Sequence, residues 1–156
     1  MIKRVNKDLK SNVKKIFTEC WNTDFMVSKS KVHYIDNLES FVYIKNKEII
    51  GIITFTIDNN EIEIVSLDSF IENKGIGTAL INEVIELFRS YQYNKLWLIT
   101  TNDNLNALKF YQKRGFIITD IYINAIEKSR KLKPSIPILG YDNIAILHEI
   151  QLNYYK

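Results

Sequence analysis

Apolar residues first recur at helical spacing between Lys7 and Trp21, where Leu9, Val13, Ile16, Phe17 and Cys20 fall on one stripe. Ile2 to Val5, just before it, reads as a short strand. From Asn22 to Glu39 the chain is polar and without clear period, and it predicts no element. Alternation and β-branched density then take over in Ser40 to Lys45 (SFVYIK), Glu48 to Ile57 (EIIGIITFTI) and Glu61 to Leu67 (EIEIVSL). The joints Asn46-Lys47 and Asp58-Asn59-Asn60 tolerate tight turns, so these three read as an antiparallel meander. Past Gly75 and Gly77 the period lengthens again, and Leu80, Ile81, Val84, Ile85 and Phe88 mark the buried face of a helix running to about Tyr91. Lys95 to Thr101 (KLWLITT) is a strand, and NDNLNALKFYQKRG a helix that Asn102 or Asn104 can cap and Gly115 can stop. Phe116 to Ile123 is a further strand, KSRKLKPSIP a basic loop, and Ala145 to Leu152 a closing strand. The sum is an α+β chain.

Length allows a single core in 156 residues, and no repeat or linker divides them, so residues 1–156 read as one domain. Charge narrows the partners: a net +3 is too small to imply nucleic acid without a concentrated basic face. The lone Cys20 excludes an internal disulfide and a thiolate zinc site, and it fits a reducing compartment. His33 and His148 stand apart, with no metal-ligand spacing. The opening MIKRVNKDLK lacks the apolar stretch of a signal peptide, and no run approaches the roughly 18 apolar residues of a membrane span. The expectation is a soluble cytoplasmic protein with no metal, no membrane and no nucleic-acid partner.

The stretch ENKGIGTA carries the first candidate chemistry. A strand, a glycine loop and a helix present free N–H groups, and the helix dipole favours an anion there. The Rossmann fingerprint fails because Leu80 stands at its third glycine, and the GK[ST] of a P-loop is absent. On local physics alone the glycines serve a phosphate or are structural punctuation.

Together with the stretch from Asn104 to Phe116, ENKGIGTA resembles the pyrophosphate loop of the GNAT superfamily of acyl-CoA N-acyltransferases. The family pattern is Arg or Gln, two residues, Gly, one residue, then Gly or Ala; here it reads Glu72-Asn73-Lys74-Gly75-Ile76-Gly77. A second signature, an Asn three residues before an Ala, then a Tyr, then Gly-Phe, is matched by Asn104, Ala107, Tyr111, Gly115 and Phe116. The match covers residues 40 to 123 well. It implies a twisted, mostly antiparallel sheet of about six or seven strands flanked by helices. It also implies acetyl transfer from acetyl-CoA to a primary amine, with no metal. Glu72 departs from the pattern and reads as turned to solvent, with Lys74 supplying positive charge.

The resemblance assigns the pyrophosphate to Lys74, Gly75, Ile76, Gly77 and Thr78, and the pantetheine arm to backbone near Ser66 and Leu67, with Asn104 and Ala107 beside it. The Leu67 N–H would polarise the thioester carbonyl. Tyr111 matches the general acid; otherwise it is one of nine tyrosines packing a helix on a sheet. Glu61 and Glu63 sit two apart, on the face read to include Val65 and Leu67, and Glu63 is the choice of base. Glu61, Glu149 and water are the other candidates, and an exposed strand start is the structural alternative. Lys113 reads as a solvated surface lysine, and Cys20 as core packing. The basic run Lys128, Arg130, Lys131, Lys133 borders the acceptor site in the family, or is a solvated loop. A non-catalytic acyl-CoA sensor or scaffold is the alternative function. The resemblance also allows a homodimer through terminal strands, and leaves the acceptor unnamed.

Overall fold

The computed structural model describes residues 1–156. In chain order it has β1 (Ile2–Arg4), α1 (Lys7–Trp21), β2 (Phe25–Ser28), β3 (Lys31–Tyr34), β4 (Glu39–Lys45), β5 (Glu48–Asp58) and β6 (Glu61–Ser69). Beyond these lie α2 (Ile76–Ser90), β7 (Lys95–Thr101), α3 (Leu105–Gln112), β8 (Phe116–Tyr122), α4 (Ala125–Leu132) and β9 (Glu149–Tyr154). Seven strands form one sheet in the order β1-β4-β5-β6-β7-β9-β8, antiparallel throughout except for β6 and β7. The α+β reading and its mostly antiparallel sheet therefore hold.

Each face of the sheet has its own core. On one, the α2 stripe Leu80, Ile81, Val84 and Phe88 packs with Ile53, Phe55, Ile62, Ile64, Leu96 and Leu152. On the other, Val13 and Phe17 of α1 meet Ile35, Leu38, Val42 and Ile52. Cutting a fully buried ring such as Phe55 to alanine costs about 3–5 kcal/mol, because the cavity left behind cannot close. Cys20, expected in the α1 core, is exposed.

Three departures from the sequence reading matter for the site. Between Asn22 and Glu39 lies the hairpin β2–β3, turned at Lys29 (φ 47°) and Ser30 (φ 60°). Both central residues take the left-handed conformation without the Asn-Gly that usually signals it, so the sequence hid the turn. In β6, Thr54 faces Ser66 but Phe55 faces Ile64, leaving Val65 unopposed in a bulge. The bulge splits the face read from alternation: Val65 packs on the α1 side, whereas Leu67 joins the α2 core. Finally, the basic loop is largely the helix α4, and the closing strand begins only at Glu149, Ala145 making an isolated bridge to Leu139.

Candidate functional site

The parallel strands β6 and β7 pair only from Glu61–Lys95 to Ile64–Leu98. Beyond that Ser66–Ser69 stays with β5 and Ile99–Thr101 with β9, so the sheet opens at the carboxyl ends of two parallel strands. Such openings collect ligands in α/β sheets because two backbone edges and two adjoining helix starts converge there. Here they border a cavity of about 490 Å³ whose wall includes Ser66, Leu67, Thr100, Asn104, Ala107 and Tyr111.

Helix α2 starts beside this opening. Gly75 is its N-cap at φ 70°, no side chain caps it, and the first helical bond runs from Ala79 N–H to Gly75 C=O at 2.9 Å. The amides of Ile76, Gly77 and Thr78 thus have no partner inside the helix. A Cβ at Gly75 would meet nothing within 4 Å, so its glycine is explained by the left-handed backbone and the space in front of it. Gly77 is different: a Cβ there would lie 3.4 Å from the Phe110 ring, an ordinary contact, so neither its backbone nor the packing of α3 on α2 demands a glycine. Glu72 and Lys74 are exposed.

One cation bonded to this helix start, which the sequence reading missed, is Arg114. Its guanidinium donates to Thr78 Oγ1 at 3.0 and 2.5 Å and to Phe110 C=O at 2.8 Å, and stacks 3.5 Å over the Phe110 ring. A cation opposes the dipole at a helix N-terminus unless an anion joins it. Arg114 therefore offers positive charge where Glu72 replaces the motif's Arg or Gln.

Tyr111 projects from α3 into the same cavity, held edge-on between Phe110 and Phe116 with centroids 5.1 and 5.5 Å away. Burial pushes its phenol pKa well up, so the hydroxyl keeps its proton. Asn104 caps α3, its Oδ1 accepting from Ala107 N–H at 3.1 Å. The spacing of these two motif residues is thus first a helix start.

The opposite wall is acidic. Glu63 is 5% exposed and accepts a 2.5 Å hydrogen bond from Ser28 Oγ. His33 Nε2 lies 2.9 Å from Ser28 Oγ and 3.6 Å from Glu63 Oε2. When Glu63 is ionised, Ser28 gives it its one hydroxyl proton, and an Nε2–H tautomer of His33 completes the chain by donating to Ser28. Burial raises the Glu63 pKa to about 7 against the pull of Ser28 and of Lys31 and Lys29. Burial, helped by Lys31, lowers His33 to about 4, so the imidazole is neutral at pH 7. Glu149 accepts from Lys29 N–H at 3.0 Å and from Ser129 Oγ at 3.4 Å, and burial pushes its carboxyl up as well. Glu61 lies outside the cavity, 3.9 Å from Lys95.

The other singled-out residues sort by the same geometry. His148 Nδ1 accepts from Asn124 N–H at 2.9 Å at the start of α4. Lys113 is exposed, as expected. Cys20 borders the cavity, and burial raises its thiol pKa, which disfavours a nucleophilic thiolate. Of the basic run, Lys133 alone is buried. Ser28, His33, Arg114 and Lys133 reach the site through tertiary contacts; the family resemblance pointed to the basic run that contains Lys133, and the position of Arg114, three residues past Tyr111, was the other available signal.

Residues 6–116 match the model of the "Acetyltransferase (GNAT) family". The chain is 45% identical over 146 residues to the uncharacterized protein YdhI of Bacillus subtilis, covering 93% of this chain and 91% of that one. Its fold is similar to a GNAT family acetyltransferase from Elizabethkingia anophelis with acetyl-CoA bound, with a TM-score of 0.73, 23% identity and coverage of 100% and 97%. A Bacillus subtilis acetyltransferase in complex with CoA is similar at TM-score 0.69 and 17% identity, with coverage of 99% and 97%. No helix is long and apolar enough to cross a membrane.

Proposed function

The chain belongs to the GNAT acetyltransferase family, and on that premise we propose that it transfers an acetyl group from acetyl-CoA to a primary amine. The observation that carries this reading is one cavity lined by both a protonated tyrosine and a buried carboxylate near pKa 7, with the uncapped start of α2 adjoining its wall at Leu67.

Three features suit the chain to CoA: uncapped amides at α2, open space before Gly75, and the Arg114 cation beside Thr78. Ile76, Gly77 and Thr78 would hold the pyrophosphate through N–H groups, and Arg114 would add charge. Lys74 remains an exposed, secondary contributor. The backbone edge at Ser66 and Leu67, freed where β6 leaves β7, would take the pantetheine arm, with Asn104 and Ala107 across the gap. Bound acetyl-CoA supplies an activated thioester whose carbonyl carbon accepts an amine.

The remaining work falls to side chains. An alkylammonium is not nucleophilic, so the acceptor must shed a proton, and Glu63 is the group placed in pKa to take it near neutrality. Ser28 and, behind it, His33 fix the Glu63 carboxyl in one orientation. The Leu67 N–H would stabilise oxyanion charge. Tyr111 keeps its proton at rest because burial disfavours the phenolate, and it would give that proton to the thiolate as CoA departs.

Thiol release from acetyl-CoA, measured across a panel of primary amines, tests the proposal. Amine-dependent release is expected. Tight acetyl-CoA binding with no amine-stimulated release would favour a sensor or scaffold instead.

A further inference from the structure

Lys133, at the end of α4, lines the cavity and is 8% exposed. Its ammonium donates to Phe25 C=O at 3.4 Å, longer than an ordinary N–H···O bond, and to the weak acceptor Met26 Sδ at 3.6 Å. The rings of Phe25 and Trp21 lie 5.7 and 6.0 Å away. No carboxylate pairs with it: none of the ion pairs involves Lys133, although Glu63, Glu149 and Asp103 line the same cavity. An ammonium has three donors, and burying it without an anion is costly. Its neighbour Arg130 is spent otherwise, on the carbonyls of Ile136, Pro137 and Ile146. Burial lowers the Lys133 pKa with no anion offsetting it. The cavity thus holds a half-satisfied cation on one element and buried carboxylates on others, which the fold keeps apart.

We propose that Lys133 is the anion-recognising residue of the acceptor subsite, so that the acceptor is a primary amine carrying a carboxylate or a phosphate. This rests on the acetyl-transfer reading, which assigns the amine end to Glu63. Trp21 and Phe25 shield the ammonium from water and leave its charge available to a ligand. If Lys133 only tied α4 to β2, its three donors would be saturated by strong acceptors, whereas it has one long contact to a carbonyl and one to a thioether sulfur.

The test uses the full chain saturated with CoA, so that the anion-binding start of α2 is filled. Ethanolamine, β-alanine and O-phosphoethanolamine are then titrated calorimetrically into wild type, Lys133→Met and Lys133→Arg. At least one anionic amine is expected to bind wild type about tenfold to a hundredfold more tightly than ethanolamine, the range for a shielded charge-assisted hydrogen bond. The two anionic arms distinguish carboxylate from phosphate. Lys133→Met should lose the preference and Lys133→Arg keep part of it, with CoA affinity unchanged in both, which also reports that they fold. A wild type without anion preference, or a preference surviving in Lys133→Met, overturns the proposal. Failure of wild type to bind CoA would count against the acetyl-transfer reading alone, since the same titrations on the free protein still decide the subsite.

Discussion

Glu63→Gln separates the chemistry of the carboxylate from its effect on the fold. The folded carboxyl holds its proton to about 7, against 4.5 for the group unperturbed. Between those values the folded protein binds more protons than the unfolded chain, so this group makes stability fall as pH rises through the window. The gap corresponds to about 3 kcal/mol at most, fully expressed only above pH 7. Glutamine keeps the shape and still accepts from Ser28, but never ionises. Chemical denaturation should therefore find the variant about as stable as wild type near pH 5 and about 2–3 kcal/mol more stable near pH 8.5. Over the same range wild-type kcat/KM should rise along an acidic limb centred near 7, and the variant should lose that limb with most of its rate. His33 acts in the opposite direction, because its folded pKa is lowered from 6.5 to about 4, so its contribution is lost as pH falls through that range. A variant whose stability gain does not grow with pH, or that keeps the limb, would refute both the burial argument and the assignment of the base.

Tyr111→Phe removes one buried hydroxyl and should lower turnover about 10²–10⁴-fold with CoA affinity retained; unchanged turnover would remove the acid role. Arg114→Met keeps much of the packing over Phe110 but not the charge. It should weaken CoA about tenfold in a calorimetric titration, with a shallower salt dependence than wild type; equal affinity would leave the pyrophosphate to backbone amides alone. Ser28→Ala deletes the bond that holds the Glu63 pKa down, so the acidic limb of the rate profile should move above 7. A limb that stays in place would show that Ser28 has no part in tuning the base.

Elements with long, regular periods were legible in the sequence: α1, β5, β6 and α2 lie where the apolar pattern placed them. The hairpin β2–β3 was not, because four-residue strands carry too little alternation and its left-handed turn uses Lys29 and Ser30. The bulge at Val65 was invisible for a related reason, since alternation counts residues and a bulge adds one. Helix α4 was masked by its charge, its apolar side being little more than Ile126. The site divides along the same line. Gly75, Asn104, Ala107 and Tyr111 were found through motif spacing along one chain segment, and they border the opening or the helix starts beside it. The Ser28–His33 support of Glu63, the Arg114–Thr78 contact and the burial of Lys133 join residues far apart in sequence, where local pattern carries no signal.

Calorimetric titration of acetyl-CoA into wild type and Gly75→Glu tests the account most directly. The substitution sets a carboxylate in the open space before the uncapped amides of α2, where Gly75 holds φ 70°. The account predicts micromolar binding by wild type and its loss in a variant that still unfolds cooperatively. A folded wild type that fails to bind acetyl-CoA, or a Gly75→Glu variant that binds it equally well, would contradict it.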